Sequence, residues 1–415
     1  MLSVEEASER ILAEIRPLKT ERVSLRQALG RVCAEDIVAT VTMPPWSNSS
    51  MDGYAVRSAD ITPTMSGKPV RLRVVATIPA GGFAPRGLKR GEAMRIMTGA
   101  PVPEGADSVI RKEDTDGGLK KVEIRQARDV WKNIRPAGED YQRGDLLAKR
   151  GSPVRPALIG VLASSGIAKV SVFRRPRVAI ISSGNELVEI KDFDRVHAGE
   201  RIVSTNSYTL EALTRVAGGI PIDLGIAADT KASLKRKLDR ARDCDLILTS
   251  AGVSVGDLDH TRDVFASLGG KQRFWKVRMR PGAPLAFGVL NEVPWLGLSG
   301  NPVSAMVSFE LFVRPVLRKM QGYTSWHRRT VTVTVDEEIK LGAKLTHFLR
   351  ACVTREEGRL AARLTGAQSS GALTSMAKAN ALLIVPETSP RVERGSQIKA
   401  LLLDQTLDET SAFSL

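Results

Sequence analysis

Several short segments of this 415-residue chain concentrate residues able to bind anions or a divalent cation. Residues 249–259 follow an apolar run and set Gly252, Ser254 and Gly256 ahead of Asp257 and Asp259. Glycine frees the backbone to wrap its N–H groups around a phosphate, and closely spaced carboxylates are hard oxygen ligands of the kind Mg²⁺ takes. The loop lacks the Gly-Lys-Ser/Thr ending of a Walker loop. The plainer reading is a turn whose acids cap the helix that follows. Ser299, Gly300, Asn301 and Pro302 lead from an apolar run into a long helical stretch. Proline is at home in a first helical turn, and a helix start offers free N–H groups to an anion. Residues 181–186 end on Glu186 at the tip of a turn, and residues 204–207 (Ser-Thr-Asn-Ser) open another helix. Lys276, Arg278 and Arg280 alternate; on a strand they share one face, which suits an oxyanion or phosphate better than a core.

These segments need a scaffold, and the rhythm of the chain predicts one. From about residue 177, apolar runs at 178–182, 220–227, 245–249 and 295–298 alternate with helical stretches at 207–217, 231–242, 261–268 and 303–320. Buried runs interleaved with amphipathic helices predict a doubly wound α/β domain, whose ligands sit at the carboxyl ends of the strands. Residues 1–30 read as a helix over 4–15, a loop and a second helix. A Pro-rich loop at 42–48 follows, then short strand-like runs such as 71–76 and 121–124, which read as a small β domain. Helical patterning returns at 158–163, so the first domain is built from two separated segments. Strict alternation at 330–335 starts a C-terminal β domain. The expected units are 1–44 with 141–174, 45–140, 175–325 and 326–404, followed by a polar, loose tail at 405–415.

Composition narrows the function classes. Hydrophobic residues make up 42% and charged residues 26% of the chain, the balance of an ordinary globular protein. No run approaches the roughly 20 apolar residues of a membrane span, and residues 1–10 are acidic and polar, unlike a signal peptide. Cys33, Cys244 and Cys352 lie far apart without a CxxC pair, which fits a reduced cytoplasmic protein and no zinc site. The net charge of +15 is spread among 46 acids with only 5% aromatics, a poor match to nucleic-acid binding. It fits attraction of small anions equally well.

Together the motifs resemble one family. Residues 51–56 (Met-Asp-Gly-Tyr-Ala-Val), 97–101 (Met-Thr-Gly-Ala-Pro), 183–187 (Ser-Gly-Asn-Glu-Leu), 252–257 with Asp259, and 300–304 (Gly-Asn-Pro-Val-Ser) follow the order seen in the molybdopterin molybdotransferases. These MoeA-like enzymes also form the E domain of gephyrin, and the resemblance spans nearly the whole chain. It implies a split first domain, a small β domain, an α/β domain like that of the pterin adenylyltransferases, and a C-terminal β-barrel. It also implies a homodimer in which the first domains of one subunit complete the other's cleft. The implied reaction exchanges AMP on adenylylated molybdopterin for molybdate, with Mg²⁺, in the cytoplasm. Implied partners are the pterin adenylyltransferase and molybdoenzyme maturation proteins; nucleic acid and membrane are not among them. By matching position, Asp52, Thr98, Glu186, Asp229 and Asp259 are the acidic and polar site residues, with Asp257 and Asp259 for Mg²⁺. Lys276, Arg280, Arg350 and Ser375 match positions that hold anions, beside the loops carrying Gly252, Ser254, Gly256, Ser299, Gly300, Asn301 and Pro302. The chain departs from the family's Lys-Pro-Gly-Lys at residues 280–283 (Arg-Pro-Gly-Ala) and from its Pro-Gly-Asn-Pro at Ser299.

Two rivals remain at this point. An enzyme that adenylylates the pterin uses the same α/β unit, but the extra domains and the Asp52 motif favour the transferase. A scaffold protein is the other, and the lack of an added interaction domain or long linker weighs against it.

Overall fold

The structure, a computed structural model, describes residues 1–126, 128–251, 260–342, 344–356 and 358–404. The expected tail at 405–415 lies outside the described residues.

The α/β unit is built on a six-stranded sheet. Its strands run in the order Ile220–Ala227, Arg177–Ser183, Leu246–Ser250, Val293–Leu298, Pro284–Leu290 and Lys271–Lys276. The first four run parallel; Pro284–Leu290 runs against them, and Lys271–Lys276, antiparallel to it, runs with them again. Strand Leu246–Ser250 is buried at every residue, and Arg177–Ser183 at all but its first. Covered on both faces, such strands have no need of polar alternation, which is why their sequence is a continuous apolar run. Successive side chains still divide between the faces. Val178, Ile180, Leu246, Leu248, Leu296 and Leu298 join one core with Leu210 and Val307. Ala179, Ile181, Ile247 and Trp295 join the other with Leu234, Leu238 and Phe265. Burying a side chain of this size contributes roughly 1.5–3 kcal/mol. The four parallel strands therefore end together at Ser183, Ala227, Ser250 and Leu298.

Helices Thr205–Val216, Lys231–Arg240 and His260–Ser267 connect the strands. The helix after Val293–Leu298 runs from Pro302 to Met320 through a π turn at Phe309–Val313. The amino-terminal helix Val4–Ala13 starts with a capping box between Ser3 and Glu6. It packs Ala7, Ile11 and Leu12 into the same core as Phe312 and Met320.

The second helix expected before residue 30 does not form. Residues Thr20–Ser24 are a strand, antiparallel to Lys169–Phe173, followed by a single 3-10 turn at Leu25–Gln27. The partner strand lies far along the chain, so tertiary pairing overrides the local helical reading. Between these two segments sits a five-stranded sheet in the order Ser108–Arg111, Gly53–Val56, Glu92–Ile96, Val70–Ile78 and Lys121–Ile124. The chain enters and leaves it past a two-way bridge between Met43 and Tyr141.

After residue 329, strands Thr346–Glu356, Arg359–Leu364, Thr330–Val335, Gln397–Leu402 and Ala381–Val385 pair in that order, and the last closes on the first. Closure leaves this five-stranded barrel without a free edge. The short strand Met279–Arg280 of the α/β unit adds in parallel to its first strand.

Candidate functional site

The strand ends and the barrel enclose a pocket of about 720 Å³. Ser183, Glu186, Asn206, Ser250, Ala251, and residues 299–302 line it from the α/β unit, while Gly371 and Leu373 close it from the barrel. Its polar lining is oxygen and amide groups, with no histidine or cysteine among the described residues.

Two carboxylates stand at the tips of the first two strands. Gly184 has φ 147°, and a Cβ there would lie 2.5 Å from the Glu186 carboxylate. Only glycine lets that carboxylate fold back over the turn. Asp229 and Asn185 bond reciprocally: Asn185 N–H donates to Asp229 Oδ2 at 3.0 Å, and Asp229 N–H donates to Asn185 Oδ1 at 3.2 Å. Glu186 lines the pocket directly; Asp229 acts beside it, fixing the Glu186 turn.

Asn206 is the residue that motif reasoning undervalued. It reads as a helix cap, yet it is 6% exposed and spans two strand ends. Its Nδ2 donates to Ser250 Oγ at 2.6 Å and to the Gly300 carbonyl at 2.8 Å. The helix itself begins at Ser204 without a side-chain cap bond. Beneath it, the hydroxyls of Ser182, Ser204 and Ser207 form a buried chain with spacings of 2.9 and 2.7 Å. The Gly-Asn-Pro turn is braced by Ser299, whose Oγ accepts from Asn301 N–H at 3.3 Å. Opposite it, Ala251 holds a left-handed φ of 74°, costing about 1 kcal/mol for a residue with a Cβ. Its Cβ would meet a side chain on Gly300 at 3.1 Å, so the two loops approach closely because Gly300 has none.

Arg350 is fully buried and does not line the pocket. Its Nε donates to Ser375 Oγ at 3.0 Å, and its guanidinium donates to the carbonyls of Ala367, Gln368 and Ser369 at 3.0, 3.2 and 2.9 Å. Burial pushes the guanidinium below its ordinary pKa. The next residue, Ser370, accepts at its carbonyl from Val303 N–H at 3.2 Å, joining the barrel loop to the helix start. Arg350 and Ser375 thus hold the loop that carries Gly371.

The expectation that Lys276, Arg278 and Arg280 share one strand face is corrected. The strand stops at Lys276, and Met279–Arg280 belongs to the barrel sheet. Arg278 turns to Glu387 at 3.2 Å and to the Met1 carbonyl at 3.0 Å. The register fails because the chain changes partners after Lys276: Val277 N–H donates to the Ala283 carbonyl at 3.0 Å and Arg278 N–H to the Leu2 carbonyl at 2.8 Å. Lys276 pairs with Pro284, which lines the pocket.

Asp52 and Thr98 meet in the inserted β unit. Asp52 Oδ1 accepts from the Thr98 N–H at 2.8 Å and from its hydroxyl at 2.7 Å. The N–H first, then the hydroxyl, hold the carboxyl below the usual aspartate value. Neither residue lines the pocket of its own chain. Gly252, Ser254, Gly256, Asp257 and Asp259 lie outside the described residues. Among the described residues no group of three acids, histidines or cysteines is disposed to hold a metal.

The comparisons with known proteins bear on the whole chain. Residues 2–166 match the MoeA N-terminal region (domain I and II), 179–319 a probable molybdopterin binding domain, and 332–403 the MoeA C-terminal region (domain IV). A Mycobacterium tuberculosis protein named molybdopterin molybdenumtransferase 2 is 39% identical over 408 residues, covering 96% of this chain and 99% of its own. The Haemophilus influenzae molybdopterin molybdenumtransferase is 34% identical, covering 96% and 98%. The crystal structure of a molybdopterin biosynthesis MoeA protein from Pyrococcus horikoshii superposes with a TM-score of 0.82 at 31% identity, over 97% of this chain and all of that one.

Proposed function

The chain belongs to the MoeA family of molybdopterin molybdenumtransferases, and we propose that it inserts molybdenum from molybdate into adenylylated molybdopterin, releasing AMP with Mg²⁺. The observation that carries this reading is the oxygen- and amide-lined pocket at the carboxyl ends of four parallel strands. Ligands of α/β sheets bind there. The Gly-Asn-Pro turn and the N–H groups at the start of the following helix suit an anionic phosphate. Asn206 keeps Ser250 and Gly300 at fixed separation, so these donors are in place before substrate arrives. The barrel loop held by Arg350 forms one wall of the site. No side-chain nucleophile is required.

The donor set fits Mg²⁺: Glu186 and serine hydroxyls offer hard oxygens, and among the described residues no softer ligand is present in the lining. Asp257 and Asp259, which lie outside the described residues, are the residues we assign to hold it. When bound, the ion supplies neutralisation of the phosphate charge on the leaving AMP. Lys276 and Arg280 are assigned to the approach of the anions, and the field of a chain with net charge +15 favours both molybdate and phosphate.

We read the working unit as a homodimer. Asp52 and Thr98 are not among the residues that line the pocket of their own chain, and both bonds within the pair fall on Oδ1, so Oδ2 is left to act elsewhere. A second copy supplying this pair would complete the cleft. The reaction is assigned to the cytoplasm: Cys33, Cys244 and Cys352 are free thiols, and among the described residues no helix is long and apolar enough to cross a membrane.

The test is a purified assay with adenylylated pterin, molybdate and Mg²⁺, scoring AMP release. Molybdate-dependent release is expected, and its absence rejects the reaction. Asp52→Asn and Asp259→Asn are each expected to abolish molybdenum insertion while the protein stays folded; normal cofactor yield from either removes it from the site.

A further inference from the structure

We propose that the chain carries a second anion site, a cleft that binds a short polyphosphate at the amino ends of the α/β strands. The cleft has a volume of about 750 Å³ and is lined by Arg22, Arg26, Arg31, Arg174, Arg175 and Arg177. Arg177 and Ile220, both in its wall, are paired first residues of neighbouring parallel strands. The pocket described above lies at the other ends of those strands, about 20 Å away by the rise of a seven-residue strand. The two sites share no residue.

The charges in the cleft do not balance. Its one lining carboxylate, Glu21, is engaged by Arg31, and the adjacent Asp245 is engaged by Arg174. Among the described residues, no ion pair neutralises Arg22, Arg26, Arg175 or Arg177. Like charges held around one concavity repel, and an anion relieves that repulsion. Arg31 is the fixed element at the base: it is 8% exposed, and its guanidinium donates to the Phe173 carbonyl at 2.8 Å as well as to Glu21. It cannot swing out into solvent as a surface arginine does.

Chemistry selects the ligand class. Every cation in the lining is arginine and none is lysine. The planar guanidinium fork matches phosphate oxygens two at a time. No aromatic ring lines the cleft, so nothing stacks a base. The apolar part of the wall is only Val23, Leu29 and Ile220. A chain of phosphates without a required base is therefore favoured over single-stranded nucleic acid. The volume suits a ligand of a few phosphates.

The experiment is calorimetric titration of the full-length protein with inorganic tripolyphosphate at low and at about 0.15 M salt. The variant is the triple substitution Arg22→Gln, Arg26→Gln and Arg175→Gln, all exposed and outside the proposed reaction site. At least a ten-fold loss of affinity and a shallower salt dependence are expected, with molybdenum insertion unchanged. A control, Lys68→Gln with Lys89→Gln and Lys120→Gln, makes the same change of net charge on the inserted β unit and is expected to bind as wild type. Wild-type affinity in the arginine variant overturns the site, because any binding at the strand carboxyl ends is common to both proteins. An equal loss in the control overturns it too, since the general field would then be responsible. Tighter binding of a glutamate oligomer of matched charge overturns the phosphate assignment.

Discussion

Arg350 and Gln368 grip each other from both ends. The Arg350 N–H donates to Gln368 Oε1 at 2.9 Å, Gln368 Nε2 donates to the Arg350 carbonyl at 3.1 Å, and the guanidinium donates to the Gln368 carbonyl at 3.2 Å. No carboxylate shares the burial of this arginine; its partners are main-chain carbonyls and Ser375. A side chain that sequence matching assigns to anions is here committed to the wall of the site.

Removing Arg350 orphans those carbonyls. Arg350→Ala is expected to lower stability by about 3 kcal/mol or more, since each buried unsatisfied group costs about 1–3 kcal/mol. Arg350→Lys keeps the charge but cannot reach three carbonyls and Ser375 together, so it is expected to recover little. Urea midpoints check this. Wild-type midpoints for both variants, alongside lost substrate affinity, would return Arg350 to direct anion binding.

Gly184→Ala sets a Cβ against the Glu186 carboxylate and places alanine at a φ of 147°. Molybdenum insertion is expected to fall by at least two orders of magnitude, about 2.7 kcal/mol in barrier, while the circular dichroism spectrum is preserved. Full activity would show that Glu186 is free to sit elsewhere.

The Asp52 carboxyl is held below its ordinary range chiefly by the Thr98 N–H, with the hydroxyl adding to it. A depressed folded value means that the Asp52–Thr98 link is complete at neutral pH. It is lost only as pH falls below the usual aspartate range. Thr98→Val keeps the N–H and removes the hydroxyl, so the Asp52 pKa is expected to rise part of the way back. Carboxyl ¹³C titration by NMR reads this directly, and an unmoved Asp52 resonance would refute the pairing.

Glu92 offers a second pH handle within the same unit. The Arg86 guanidinium, joined by Arg73 and the Lys89 N–H, draws its carboxyl down to about 2. Its contribution to stability is present above the ordinary glutamate value of 4.5 and is lost as pH falls from there to about 2. Protection of the amides of strand Glu92–Ile96, relative to their intrinsic exchange at each pH, is expected to fall across that window in the wild type. In Glu92→Gln protection is expected to be low already at pH 6, with a flatter dependence below. Parallel profiles for the two proteins would remove Glu92 from the account.

Much of this molecule is legible from its residues. The runs at 178–182 and 245–249 announce parallel strands because burial on both faces removes the polar alternation that other strands show. Gly184 and Gly300 mark close approaches that a Cβ would block, so the motifs around them carry real geometry. The strand Thr20–Ser24 is not legible, because what makes it a strand is Lys169–Phe173, far away in sequence. Lys276, Arg278 and Arg280 have strand spacing, but alternation cannot reveal that the strand changes sheets between the first and the last. Asn206 looks like a cap because caps and cross-strand braces use the same amide. Arg350 looks like a ligand contact because sequence shows its charge and not the carbonyls around it.

The bridge between Met43 and Tyr141 has a consequence for how the molecule is assembled. Residues 44–140 are joined to the rest at two chain passages lying side by side, so the inserted sheet is a cartridge with its inlet and outlet at one socket. Such a segment can loosen or be exchanged as a block, leaving the six-stranded sheet and its strand ends untouched. The position of the Asp52–Thr98 pair is therefore set by the socket and the cartridge it holds, and the pocket and the reach of that pair are free to change independently of each other.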